Sequence, residues 1–184
     1  MTGSTAKSNV TTDATSSTPG REFVITRVFD APRDLVWQAF TEARHLEHWW
    51  GPKGFKMLSC KLDLRPGGIF HYGMQAPDGS VMWGKWVFRE IVAPERLTIV
   101  ISFSDENAGI TRHPWAPVWP AEMLGTTTFI AQGSKTLLTS RTIAFNATED
   151  ERNAFEAGFD SMRQGFTGTF DQLEAYLATL AGSA

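Results

Sequence analysis

Cysteine is nearly missing from this sequence: Cys60 is the single one in 184 residues. One thiol excludes an internal disulfide framework and any metal site built from several cysteines, and it is compatible with a reducing compartment. An excess of positive charge is missing too. The 17 lysines and arginines stand against 20 acidic residues, a formal net charge of −3. Nucleic acid and anionic membranes both call for a basic surface, so neither is an expected partner. Long apolar runs are also lacking. No stretch approaches the roughly 18 consecutive apolar residues of a membrane span, and the first residues have no basic start followed by a hydrophobic stretch, as a secretory signal would. These absences lead to the expectation of a cytoplasmic protein with no membrane insertion. Residues 1–20, rich in Ser and Thr with one Lys, offer nothing to bury and are expected to form a disordered tail. The folded domain is expected over 21–184.

What is present is an ordinary globular balance, 42% hydrophobic and 20% charged, at a length that suits one domain with a sizeable core. Phe23, Ile25 and Phe29 alternate with Val24, Thr26 and Val28, so residues 22–30 read as a strand. Pro32 then suits a first helical turn, with Leu35, Val36, Ala39 and Phe40 on one face behind it. Thr41 is expected to cap a second short helix, 42–48, ended by Gly51-Pro52. From Phe55 to Phe145 the pattern is that of an antiparallel sheet with strands 55–64, 69–76, 81–92, 96–104, 123–132 and 135–145. The breaks between them carry turn-forming residues. Leu97, Ile99, Ile101 and Phe103 alternate with Thr98, Val100 and Ser102, the mark of a sheet with one buried face. Residues 105–121 read as a long loop carrying His113, Trp115 and Trp119. Thr148 and Glu151 match a capping box that opens a helix running to about Leu180. Its apolar stripe, from Phe155 through Phe159, Met162, Phe166, Phe170, Leu173 and Leu177 to Leu180, steps by three or four residues throughout. Gly158, Gly165 and Gly168 interrupt it at roughly 1 kcal/mol each relative to alanine, which suggests close approach to other atoms or a space left open.

The order of elements and several strings then become recognisable. They are Phe29-Asp-Ala-Pro32 with Val36-Trp37 and Phe40-Thr41, Trp49-Trp-Gly-Pro52, Asp63-Leu-Arg-Pro-Gly-Gly68, Gly84 with Glu90-Ile91, Pro94-Glu-Arg-Leu97, and Gly165-Phe-Thr-Gly-Thr-Phe-Asp-Gln-Leu173 with Tyr176-Leu177. On these the chain resembles the START-like (SRPBCC, birch-pollen-allergen-like) superfamily. Within it, the chain is similar to the homologues of the activator of the ninety-kilodalton heat-shock chaperone's ATPase. The match covers essentially 21–180; the family usually has Gly-Trp where this chain has Gly165-Phe166. The resemblance implies an α+β helix-grip fold, a bent antiparallel sheet of six to seven strands wrapped around a long C-terminal helix, with two short helices after the first strand. It also implies a cavity between sheet and helix that takes a hydrophobic small-molecule ligand, and by analogy a chaperone partner in the stress response; no cofactor is expected. A homodimer is also open.

Seven tryptophans and thirteen phenylalanines are many for this length, and aromatics supply large apolar walls. The candidates for lining the implied cavity are Trp50, Phe70, Tyr72, Met74 and Trp83. Trp86, Trp115, Phe159, Met162 and Phe166 complete the set. Packing against one another is the competing explanation for each of them. Their number is read as favouring a partly hollow interior.

The catalytic signals are sparse. Asp63-Leu-Arg-Pro-Gly-Gly68 lacks the glycine spacing, lysine and helix of a phosphate loop and reads as a tight strand connection. His45 and His48 sit three apart with Glu47 between them. They lack a third ligand and the usual spacing of four, so a surface or hinge pair is favoured over zinc and no metal is expected. No nucleophile elbow occurs, and no histidine neighbours Cys60 in sequence. Three functions remain: a carrier, sensor or sequestering protein using the cavity; a cyclase- or hydrolase-like enzyme using His71, His113, Glu90 or Arg141 on a polyketide-like substrate; or a chaperone-linked partner. Whether the protein is an enzyme is left open.

Overall fold

A computed structural model describes residues 21–182. The expectations for residues 1–20 fall outside the described residues. Strand β1 (Glu22–Phe29) buries Phe23, Ile25 and Phe29 in the expected alternation. The helix α1 (Arg33–Thr41) follows Pro32, whose carbonyl accepts from the amides of Leu35 and Val36. Helix α2 (Ala43–Trp49) comes next. The hinge between them is Glu42, extended at φ −123° and ψ 127°. Thr41 is not the expected cap. It is buried in the last turn of α1, and its hydroxyl donates back to the Trp37 carbonyl, because a threonine inside a helix finds its nearest free acceptor four residues behind.

Seven further strands complete the sheet: β2 (Lys56–Leu62), β3 (Ile69–Gln75), β4 (Val81–Val92), β5 (Arg96–Ser104), β6 (Ile110–Thr111), β7 (Glu122–Gln132) and β8 (Lys135–Phe145). All the pairs are antiparallel, in the order β1-β8-β7-β5-β4-β3-β2, with the two-residue β6 paired to β5. That short strand lies inside the stretch read as an unbroken loop; two residues are too few to show a period. The Asp63–Gly68 string is the tight connection expected. The Asp63 amide donates to Ile69, and the Gly68 amide to Arg65. A Cβ at Gly68 would stand 2.1 Å from the Asp63 carbonyl oxygen, so only glycine fits.

The C-terminal helical run is two helices, α3 (Glu149–Ala157) and α4 (Phe159–Ala181), rather than one continuous rod. The capping box is present: Thr148 and Glu151 exchange side-chain-to-backbone bonds. Arg112, from the long loop, also donates to the Glu151 carboxylate. The break falls at Gly158, where a Cβ would lie 2.5 Å from the Trp119 ring. The close approach is thus real at Gly158. At Gly165 and Gly168 a Cβ would meet nothing within 4 Å, so these two do not set the interior volume. One face of the sheet packs on α4 through Phe23–Phe166 and Phe29–Phe170 ring contacts. The result is an α+β fold of the helix-grip kind. No helix among the described residues is long and apolar enough to cross a membrane.

Candidate ligand-binding site

Among the described residues the space between sheet and helices includes a small cavity, about 30 Å³, room for about two or three waters at the usual ~10–15 Å³ each. Most of the aromatic mass is packed on itself. Phe40 touches Trp49 and Phe129, and Phe70 touches Tyr72 and Trp86, at ring separations between 4.7 and 5.2 Å. The hollow interior expected from the aromatic count is therefore mostly filled.

The helices bring Phe40, Phe166 and Phe170 to the cavity wall, and Trp50 is presented just beyond α2. Trp50 is fixed by its neighbours. The Trp49 indole donates to the Ala39 carbonyl at 2.9 Å, and the Gly51 carbonyl accepts from Thr169 at 3.1 Å and from Gln172 at 2.7 Å. Gly51 itself has φ +118°, and a Cβ there would sit 2.3 Å from Met74 Sδ, which accounts for the glycine in Trp-Trp-Gly-Pro. From the sheet come Trp86 on β4, Leu97, Ile99 and Ile101 on β5, Thr127 on β7, and Ser140 and Thr142 on β8.

The cavity is apolar on most sides and polar at two places. Thr127 donates to Ser140 at 3.3 Å, with Thr142 on the same wall. Across from these, Trp50 and Trp86 meet edge to face, 4.7 Å between centroids. Trp86 is only 3% exposed, and its Nε1 is buried without a hydrogen-bond partner among the described residues. Behind them burial pushes the Tyr72 hydroxyl up to about 12, with the neighbouring Trp50 indole acting in the opposite sense. No Asp, Glu, Lys, Arg or His lines the cavity.

Comparison with known proteins adds the family. The family model "Activator of Hsp90 ATPase homolog 1-like protein" matches residues 30–178. The chain belongs to this family. A search of curated proteins returned no match. Among solved structures, protein Ms6760 from Mycobacterium smegmatis is 25% identical at a TM-score of 0.69, with 85% of this chain and 90% of that one covered. Protein NE0264 from Nitrosomonas europaea is 26% identical at 0.67, covering 88% and 96%. A protein from Arthrobacter aurescens is 26% identical at 0.70, covering 87% of each.

In this member of the family, three of the ten aromatic and methionine candidates line the cavity: Trp50, Trp86 and Phe166. Phe70, Tyr72 and Met74 are buried in the layer behind. Phe159 packs on Phe23 and Phe155, and Met162 sits half-buried against the core. Two candidates lie elsewhere. Trp83 stacks on His71 at 5.1 Å, on the sheet face turned away from Trp86, because the two lie an odd number of residues apart on the same strand. Trp115 is 66% exposed at the loop surface. Phe170, already in the helical stripe, and the residues of β5, β7 and β8 were not among the candidates. A period-2 reading signals the polar ones: Thr127, Ser140 and Thr142 occupy inward positions of apolar strands.

The acid–base candidates do not come together. His71 bonds the Asp105 carbonyl oxygen at 3.0 Å on the outer face. His113 accepts from the Trp115 amide through Nδ1, and burial holds its pKa below the ordinary value. Glu90 is paired with Arg96, whose guanidinium lowers its pKa, and Arg141 is paired with Glu22 at the surface. His45 bonds the Tyr176 hydroxyl at 2.8 Å while His48 stacks on the same ring; the pair joins α2 to α4. Among the described residues no group of three His, Cys, Asp or Glu could hold a metal ion.

Proposed function

We propose that this protein binds a hydrophobic small molecule between the sheet and α4, as a carrier, sensor or sequestering protein. The observation that carries the reading is Trp86, which lines the cavity and whose buried indole N–H has no partner among the described residues. A buried donor without an acceptor costs about 1–3 kcal/mol, a penalty removed if a ligand supplies the acceptor. The unoccupied volume is small, so a ligand of more than a few atoms has to displace a side chain. Phe166, half-buried over the cavity on α4, is placed to move. Native mass spectrometry of freshly purified protein should show a retained mass. A hydrophobic fluorescent probe should bind Phe166→Ala more tightly than the parent. A bare mass together with no probe binding in either protein would remove the reading.

A second reading follows from the activity for which the family is named, activation of a chaperone ATPase. The exposed Ile110, Trp115 and Val118 on the long loop are the features that favour it. A chaperone ATPase assay with parent and Trp115→Ala separates the two readings: stimulation lost with the tryptophan supports the partner role, and no stimulation by the parent dismisses it.

A further inference from the structure

We infer that the molecule bound beside Trp86 is an uncharged, compact apolar compound carrying a carbonyl oxygen, and that this oxygen accepts the Trp86 indole N–H. The inference rests on the ligand-binding reading above and narrows it to a chemical class. The cavity's surroundings eliminate the other classes. A carboxylate or an amine would be stripped of water with no Lys, Arg, His, Asp or Glu on the lining to meet it, and burying an unpaired charge is far more costly than burying a neutral polar group. A pure hydrocarbon would fill the apolar walls of Leu97, Ile99 and Ile101 yet leave Trp86 Nε1 as unanswered as it is now. An alcohol is a poorer match than a carbonyl. It also accepts the indole N–H but brings a donor of its own, which must then find a hydroxyl oxygen on the Thr127–Ser140–Thr142 wall, where Thr127 and Ser140 already bond each other. A carbonyl oxygen brings two lone pairs and no hydrogen. One can take Trp86 Nε1, buried without a partner among the described residues, and the second can face the hydroxyls of Thr127, Ser140 and Thr142 on the cavity wall.

The test is a titration with two probes of matched shape, cyclohexanone and methylcyclohexane, with cyclohexanecarboxylate as a charged third. The full chain labelled with nitrogen-15 is observed through its indole N–H resonances by NMR. The expected result is a downfield shift of the Trp86 indole proton on adding the ketone, little shift with the hydrocarbon and no binding of the carboxylate. In Trp86→Phe, which keeps an aromatic ring and deletes the N–H, ketone affinity should fall about 5–10-fold, the worth of one buried neutral hydrogen bond. The smaller ring alters the cavity for both probes alike, so the readout is the ratio of ketone to hydrocarbon affinity, which should fall in the variant. If the variant does not fold, the indole shift in the parent decides the question. Equal losses of ketone and hydrocarbon affinity, an unmoved indole proton at saturating ketone, or tight carboxylate binding would each overturn the carbonyl assignment while leaving a binding cavity. Failure of both neutral probes to bind would instead overturn the binding reading itself.

Discussion

In the second half of α4, Phe170, Leu173 and Leu177 are buried, and polar contacts tie that half to the rest of the domain. Thr169 and Gln172 hold the Gly51 carbonyl, Tyr176 meets His45, and Asp171 and Glu174 pair with Arg27 of β1. In the first half, Phe159, Met162 and Phe166 are half-buried, Gly165 and Gly168 have nothing near their missing Cβ, and the cavity lies alongside. One helix thus serves as an anchor at one end and a yielding wall at the other. The difference teaches that the apolar stripe is uniform in sequence but not in work. What distinguishes its halves is the company of α1 and α2, which close over one end only.

Truncation should expose the contrast most strongly. Phe170→Ala is expected to lose about 3–5 kcal/mol, as for a fully packed phenylalanine, and Phe166→Ala no more than about half of that. Urea unfolding of both variants measures the ratio, and equal losses would break the comparison. Next in size is the anchor at Gly51. Thr169→Val combined with Gln172→Ala removes both side-chain donors from a carbonyl on a buried residue, for an expected loss of about 1–3 kcal/mol. Trp50 should be freed at the same time. Its indole resonance should then broaden or move, whereas a purely additive stability loss with Trp50 unmoved would show that the pins do not position the cavity wall.

The helical glycines give a smaller effect with opposite signs. Gly165→Ala should stabilise by about 0.5–1 kcal/mol, because helix propensity improves and the new methyl meets no neighbour. Gly158→Ala should destabilise by about 1–3 kcal/mol, because the methyl would press on the rigid Trp119 ring. Thermal unfolding of the two single variants checks the pair. The smallest effect is electrostatic. Burial, reinforced by Arg44 and His48 and opposed by Glu42, holds the His45 pKa below its ordinary value. Above the unfolded value near 6.5 both states are neutral at this residue. As pH falls below it, the unfolded chain takes up a proton before the folded one, so stability declines until the depressed folded pKa is passed. His45→Gln should flatten the fall in Tm between pH 7 and 5. A slope that does not change would place the acid sensitivity elsewhere, with His113, also depressed by burial, as the next variant to test.

The sheet, the two short helices and the capping box were legible in the sequence because each leaves a local signal: alternation, a proline at a first turn, a threonine three residues ahead of a glutamate. The seam at Gly158 was not, since the apolar step continues across it and the cause is a tryptophan nearly forty residues away. Trp83 and Trp115 show the same limit. Aromatic character is visible in sequence, but the face of a strand is set by register and the exposure of a loop by what covers it. Cavity size was the least legible of all. The same rings that could wall a hollow pack against one another instead, and only three-dimensional distances separate the two outcomes.

The seam at Gly158 also has a kinetic consequence. A continuous rod would have to melt as a unit, but a rod with a joint can open in pieces. Helix α3 is coupled through Arg112 and Trp119 to the loop that precedes β7, and it meets α4 at Gly158 and through the Phe155–Phe159 ring contact. Loop and α3 are expected to trade hydrogen for deuterium together and ahead of the amides around Leu173, which native-state hydrogen exchange would check. The anchored half of α4 keeps its protons until the sheet itself opens.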